Sequence, residues 1–135
     1  MKCIIFSLTL GASLFVNACF AANLQQLPAH LGGRALITQD ANGNTQYTYS
    51  WPAIYFETAF KTLIAGDVLT LKFDDDKNYF QLIIDNETPI LIKKPGQLAY
   101  QVHNLKAGNH TIRLEKITET QTNTGRFLGF YRDKN

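Results

Sequence analysis

Apolar and polar residues alternate along most of the chain at a period of two. Successive side chains of a β-strand point to opposite faces of a sheet, so this spacing predicts half-buried strands. No stretch beyond the N-terminal 21 residues shows sustained helical periodicity. The predicted strands cover residues 35–38, 46–60 with a break at Pro52, 68–73, 78–85, 88–93, 98–103, 110–117 and 127–131.

Turn residues separate these segments, as in Asn42-Gly43-Asn44 and Lys94-Pro95-Gly96. Eight or nine short strands, spaced roughly 8 to 12 residues apart, are typical of an antiparallel sandwich. Neither an internal repeat nor a long linker is present. The pattern predicts an all-β chain that forms a single antiparallel β-sandwich or jelly roll of 8–9 strands, preceded by a signal peptide.

The N-terminus has the organisation of a secretory signal peptide. Lys2 supplies the positive charge, residues 4–16 an apolar run, and Ala21 the small residue before the cut. The apolar run is shorter than the roughly 20 residues that span a bilayer. We therefore predict a signal peptide (1–21), a leader (22–32), one domain (33–131) and a tail (132–135), in a secreted or periplasmic protein. The alternative is a lipoprotein anchored at Cys19.

Cysteine and charge content exclude several functions for the mature chain. Cys3 and Cys19 both lie in the predicted signal peptide, which leaves no disulfide, thiolate nucleophile or cysteine metal site. Without Lys2, 12 cations face 11 acids, a net charge of 12 − 11 = +1. Nucleic acid and anionic lipid require a concentrated basic surface, so neither is an expected partner. No transmembrane segment is expected in the mature chain.

No residue set resembles a complete hydrolase site. Ser50 is the only serine after residue 21, and it does not lie in a Gly-x-Ser-x-Gly sequence. We therefore expect no enzyme activity from this chain by itself and assign no catalytic residue and no cofactor. A weaker hypothesis is a standalone enzyme that uses His103 or His110 with a carboxylate such as Glu115.

The sequence Asp74-Asp75-Asp76-Lys77-Asn78 raises the question of a calcium loop. Asp74, Asp76 and Asn78 match the first three ligand positions, but Tyr79 stands where such a loop needs glycine. A polar turn between two strands is the favoured interpretation. We assign no metal, and these three residues remain weak candidates.

Aromatic residues give the most informative local pattern. Tyr47, Tyr49 and Trp51 alternate along one predicted strand, and Tyr55 and Tyr79 point away from the predicted core faces. Flat aromatic rings pack against the apolar faces of pyranose sugars, so these five residues are candidate carbohydrate-binding residues. The alternative is that the rings close one end of the core.

Six segments occur in a characteristic order, namely Tyr49-Ser50-Trp51-Pro52-Ala53-Ile54-Tyr55-Phe56-Glu57, Leu71-Lys72-Phe73-Asp74-Asp75, Asn78-Tyr79-Phe80, Ile83-Ile84-Asp85, Gly108-Asn109-His110-Thr111-Ile112-Arg113-Leu114 and Gly125-Arg126-Phe127-Leu128-Gly129-Phe130. With this ordered set, from about Gly33 to Phe130, the chain resembles the N-terminal jelly-roll domain of carbohydrate esterase family two. Members are two-domain enzymes that remove acetyl groups from xylan and glucomannan. In them an SGNH hydrolase domain, which carries the catalytic serine and histidine, follows the sandwich.

The resemblance implies the accessory domain of an acetylxylan-esterase-like protein without the SGNH catalytic domain. We expect an exported, non-catalytic module that binds xylan or glucomannan or docks to a separately encoded SGNH esterase domain. The alternative is a truncated or split half of an acetyl polysaccharide esterase, inert without that domain. At residues 85–87 an Asp-Asn-Glu sequence replaces the expected Asp-Gly turn, and we expect Asn86 to adopt the left-handed conformation.

Overall fold

The computed structural model describes residues 5–7, 15–17, 23–63, 66–119 and 123–133. Every regular element within them is a β-strand. The strands are β1 (Ile5–Ser7), β2 (Phe15–Asn17), β3 (Leu24–Gln26), β4 (His30–Gly32), β5 (Leu36–Gln39), β6 (Thr45–Tyr49), β7 (Tyr55–Thr62), β8 (Leu69–Asp74), β9 (Tyr79–Ile84), β10 (Ile90–Lys93), β11 (Ala99–Val102), β12 (Gly108–Lys116) and β13 (Gly125–Asp133).

Two antiparallel sheets form the sandwich. The five-stranded sheet has the order β10-β9-β12-β7-β4. The six-stranded sheet has the order β11-β8-β13-β6-β5, with β3 paired to β13. The predicted all-β sandwich is thereby confirmed, but among the described residues its two sheets contain eleven strands rather than eight or nine. β1 and β2 pair separately, and most of the predicted signal peptide lies outside the described residues, so it stays a prediction.

Phenylalanine and tyrosine rings from both sheets fill the space between them. Phe56 of the five-stranded sheet lies 4.6 Å from Phe127 of the six-stranded sheet, measured between ring centroids. Phe73 and Tyr47 lie 5.4 and 6.3 Å from Phe127. Aromatic pairs at such separations contribute about 0.5–1.5 kcal/mol beyond the burial of their area. One aromatic core therefore joins the two sheets.

The alternation along the predicted strands holds in the structure. On β7, Phe56 and Phe60 are buried, whereas Tyr55 and Glu57 lie on the outer face. The predicted break at Pro52 is also confirmed, since the chain passes there from β6 in one sheet to β7 in the other. Proline cannot donate a hydrogen bond to a ladder, so it suits a point where the chain leaves a sheet.

Within the predicted leader (22–32), the described residues 23–32 contribute a strand to each sheet. β3 pairs with β13 and β4 pairs with β7. The Gln26 side-chain amide donates to the carbonyls of Thr45 (2.8 Å) and Leu128 (3.2 Å), and its oxygen accepts from the Thr45 amide (2.7 Å). The sandwich therefore extends N-terminally beyond the predicted domain start at residue 33.

The turn between β9 and β10 uses two residues with positive φ, Asp85 (53°) and Asn86 (58°). Positive φ at both central residues is the requirement of a type I′ hairpin turn, which asparagine and aspartate tolerate better than most residues. The expected left-handed conformation of Asn86 is confirmed. The turn also places the Asp85 carboxylate beside β12.

Candidate functional site

A groove of about 640 Å³ lies at the side of the sandwich that carries β5 and β6. Trp51, the only tryptophan of the chain, is 43 % exposed there. Threonine and serine hydroxyls share the groove with this indole. We call it the Trp51 groove, and its lining residues are Gly33, Arg34, Ala35, Leu36, Thr48, Tyr49, Ser50, Trp51 and Thr124.

The turn that carries Trp51 is held from below by a buried lysine. The Lys116 ammonium, on β12, donates to the backbone carbonyls of Trp51 (3.1 Å) and Thr118 (2.9 Å). Lys116 is only 4 % exposed, and loss of solvation lowers its pKa. Ala53, two residues after Trp51, has a φ of 60°, which is uncommon for a residue with a Cβ. Buried cations and strained backbone both cost free energy, so this turn is strongly constrained.

A second buried polar side chain, Asp75, lies at the same end of the sandwich. Its Oδ2 accepts hydrogen bonds from the Tyr49 hydroxyl (2.8 Å) and the Asn78 side-chain amide (2.8 Å), and its Oδ1 accepts from the backbone amides of Lys77 and Asn78. Burial, followed by the charge of Asp75, raises the pKa of Tyr49. A Cβ on Gly125 would stand 2.2 Å from Oδ2 of Asp75, so only glycine fits at that position. These contacts fix the turn between β8 and β9 against β6 and β13.

Among the described residues that line the Trp51 groove, Arg34 supplies the only charged side chain. Its guanidinium carbon lies 5.3 Å from the centroid of the Trp51 ring, within the range of a cation–π contact. The other arginines, Arg113, Arg126 and Arg132, each form an ion pair with a carboxylate. Among the described residues Arg34 has no such ion pair. The groove thus combines an exposed indole, hydroxyls and one cation.

The prediction that Tyr47, Tyr49 and Trp51 present exposed rings is wrong for the two tyrosines. Tyr47 and Tyr49 are only 5 % and 3 % exposed, and their rings pack against Phe56 at 4.9 and 6.1 Å. Alternating residues of a strand share one face, and on β6 that face is the core. Trp51 follows the end of β6, where the chain leaves the sheet, and so its ring escapes burial.

Tyr55 and Tyr79 lie on the outer face of the five-stranded sheet, as predicted, but neither lines the Trp51 groove. The Tyr55 ring lies between Gly32, where an added Cβ would be 2.0 Å from the ring, and the guanidinium of Arg113, 3.7 Å from its centroid. Lys93 lies 6.0 Å from the Tyr79 centroid. The five candidates therefore do not form one surface.

The three weak metal candidates do not converge. Asp74 is ion-paired with Arg126, and Asp76 is exposed. The Asn78 side-chain oxygen accepts from the Thr118 hydroxyl (2.7 Å). In the described part of the chain, no group of three or more histidine, cysteine, aspartate or glutamate residues is arranged to hold a metal.

The histidines and Glu115 also occupy separate environments. Both nitrogens of His110 have partners, the Asp85 carboxylate (2.6 Å) and the Lys106 carbonyl (2.7 Å). Glu115 bonds instead to Gln81 and Arg113, at 2.5 Å each. Exposed His103 contacts Gln101. Glu115 is therefore not the carboxylate partner of either histidine in the described residues.

Comparison with known proteins identifies the family. Residues 32–135 match the carbohydrate esterase 2 N-terminal family. The chain belongs to this family. It is 54 % identical, over 92 % of its length, to an acetylxylan esterase / glucomannan deacetylase of Cellvibrio japonicus (strain Ueda107), and it spans 34 % of that relative. The resemblance inferred from the ordered motifs is confirmed.

Solved structures agree with this assignment. A carbohydrate esterase, studied for divergent catalytic and non-catalytic binding functions of its active site, shares 50 % identity at a TM-score of 0.67. The match covers 82 % of this chain and 30 % of that one. A family 35 carbohydrate binding module from Clostridium thermocellum shares the fold at a TM-score of 0.56 and 14 % identity, over 83 % of this chain and 98 % of that one. The family domain thus has the fold of an independent sandwich module.

Sequence reasoning missed three residues that shape this region: Arg34, Asp75 and Lys116. Lys116 continues the alternation of apolar inward positions on β12 after Ile112 and Leu114, and this pattern could have indicated its burial. Asp75 is separated from its partner Tyr49 by 26 positions, and no local pattern links them. Arg34 follows two glycines, which indicate only a turn.

The described residues contain no helix that is both long and apolar enough to span a bilayer.

Proposed function

We propose that this chain is an exported, non-catalytic module of a carbohydrate esterase system and that it binds polysaccharide in the Trp51 groove. The observation that carries the proposal is the single exposed indole in a groove lined by hydroxyl groups. An indole face packs against the C–H groups of a pyranose ring, and neighbouring hydroxyls bond to those of the sugar. The Cellvibrio relative, an acetylxylan esterase / glucomannan deacetylase, makes xylan and glucomannan the first ligands to test.

The constrained turn supports the same proposal. Lys116 holds the carbonyl of Trp51 from beneath, and Ala53 keeps a positive φ immediately after the indole and Pro52. A binding surface that is rigid before the ligand arrives loses less conformational entropy on binding. We infer that the buried lysine and the unusual φ maintain the indole in a binding-ready position.

The proposal predicts that Trp51→Ala weakens polysaccharide binding roughly five- to thirtyfold, since the loss of one stacked aromatic ring costs on the order of 1–2 kcal/mol. Affinities for xylan, glucomannan and cellulose would be measured by calorimetry on the chain from Asn23 onward, with melting temperature as the check on folding. Lys61→Met, near the far end of β7, serves as the matched control. Equal binding by wild type and Trp51→Ala would remove the groove from polysaccharide recognition.

A second candidate function is docking to an esterase catalytic domain. The observation that favours it is β5, an edge strand whose four residues are all exposed, with Leu36 at 65 % and Ile37 at 53 %. Unpaired edges that carry apolar side chains are rare on isolated domains, since they promote association. The same edge contributes Leu36 to the Trp51 groove, so docking and glycan binding would compete there.

A further inference from the structure

Resting on the proposed function, we infer that the Trp51 groove selects glycans that carry a uronic acid, through the guanidinium of Arg34. The recognised group is the carboxylate of a pyranose ring. The described lining of the groove carries one cation, Arg34, and no carboxylate. A neutral sugar would leave that cation without a counter-charge, whereas an acidic sugar would supply one.

Arg34 differs from the other arginines in its hydrogen-bond and ion-pair partners. Arg113 bonds to Glu57 and Glu115 and packs on Tyr55, so its donors and one of its faces are already occupied. Arg34, by contrast, is exposed, and within the described residues it forms no ion pair. A guanidinium presents five N–H donors in a planar fork that matches a carboxylate with two parallel hydrogen bonds. The donors of Arg34 are therefore available to a ligand.

The position of Arg34 relative to Trp51 supplies the geometry. The guanidinium carbon lies over the Trp51 ring, 5.3 Å from its centroid. A sugar that packs on this face displaces the guanidinium towards the rim of the ring, where the fork meets the edge of the sugar. The carboxylate of a uronic acid projects from the rim of the pyranose ring rather than from its face. Ring stacking and carboxylate pairing can then occur together, whereas an acetylated or unsubstituted xylose unit offers the guanidinium no negative charge.

Because the pair forms at an exposed site, its strength depends on screening. Salt at 0.1 M reduces the range of such interactions to about 10 Å. A charge-assisted bidentate hydrogen bond in this setting favours an acidic over a neutral ligand by about tenfold. Higher salt should narrow that preference, and affinity for the neutral ligand should stay nearly constant.

The test compares xylotetraose with a xylotriose that bears one glucuronic acid branch, using calorimetry together with Trp51 fluorescence. Wild type should bind the acidic oligosaccharide about tenfold more tightly. Arg34→Met should bind both equally, and Arg34→Lys, which keeps the charge but loses the fork, should fall between. Lys61→Met removes the same charge from the far end of β7 and should retain the full preference.

Each alternative result has a distinct meaning. Equal wild-type affinity for both oligosaccharides would overturn the uronic-acid assignment and leave polysaccharide binding intact. Binding of neither would overturn both proposals. If Arg34→Met still prefers the acidic oligosaccharide, another residue is responsible for the preference, and the assignment to Arg34 is wrong. The same titration with an oligogalacturonide shows whether the carboxylate that Arg34 recognises belongs to glucuronic or to galacturonic acid. Arg34-dependent binding of poly-glutamate without binding of either sugar acid would instead indicate an acidic protein partner.

Discussion

At the residue scale, the pair formed by His110 and Asp85 makes stability depend on pH. His110 is 8 % exposed, and both of its ring nitrogens face acceptors, so only the protonated ring can donate to both. The hydrogen bond to Asp85, followed by that to the Lys106 carbonyl, raises the pKa of His110 above 6.5. Burial opposes ionisation of Asp85, but hydrogen bonds from His110 and Thr111 outweigh it and lower the Asp85 pKa below 3.8.

The direction of each shift gives the pH window. A raised histidine pKa stabilises the fold fully below 6.5, and this stabilisation is lost as pH rises through the folded-state value. A lowered aspartate pKa stabilises the fold above 3.8, and this stabilisation is lost as pH falls through the folded-state value. The pair should therefore stabilise the domain most between about 3.8 and 6.5.

We predict that the melting temperature falls between pH 6 and pH 8 and that His110→Gln flattens this decline. Denaturation followed by circular dichroism at several pH values measures both. His103→Gln is the matched control, because His103 is exposed and contacts only Gln101 among the hydrogen bonds of the described chain. A decline of the same slope in His110→Gln would show that another group is responsible.

At the element scale, the short strands β3 and β4 complete both sheets. Leu27, Ala29 and Leu31 pack against the core, and the Gln26 amide bridges Thr45 and Leu128. The family match begins at residue 32, the last residue of β4, and so leaves out β3 and most of β4. The physical domain therefore starts earlier than the sequence match, near Asn23.

We predict that a chain starting at Gly33 is less stable than one starting at Asn23 by about 3 kcal/mol. Two partly buried leucines lose their packing, and the partly buried backbone groups of Thr45 lose their partner, Gln26. This difference in stability corresponds to roughly 10–15 °C in melting temperature. If the shorter chain fails to fold, Gln26→Ala in the longer chain should still lower stability by about 1–3 kcal/mol. Equal melting of the two chains would mean that β3 and β4 contribute nothing.

The strands differ in how well their sequences predict them. Strands such as β8 and β9 carry apolar residues at every second position, and their predicted bounds lie close to those observed. β3 and β4 have three residues each, too short for a period to appear. The Trp51 groove depends on contacts between distant segments, such as Arg34 with Trp51 and Lys116 with the Trp51 carbonyl. Periodicity gives the faces of a strand but does not reveal which distant side chains meet.

At the scale of the whole molecule, the two sides of the sandwich differ in what they leave exposed. β5 forms one edge of the six-stranded sheet, with Leu36 and Ile37 exposed and the Trp51 groove beside them. β10 forms the opposite edge of the other sheet, where Leu91 is 51 % exposed. Within the described residues, the β5 side alone combines exposed apolar residues with the constrained Trp51 turn, and we predict that a catalytic domain docks on this side.

We predict that the double variant Leu36→Ser, Ile37→Thr binds the remaining two-thirds of the Cellvibrio relative at least about tenfold more weakly than wild type does. The reason is that two apolar side chains would no longer be buried at the interface. Affinity would be measured by calorimetry and size by sedimentation. Leu91→Thr, on the far edge, should bind as wild type does.

Equal loss of affinity in both variants would indicate general destabilisation. Binding that the β5 changes leave unaffected would place the docking surface elsewhere. Since Leu36 also lines the groove, an oligosaccharide that competes with the catalytic domain would show that one surface serves both functions.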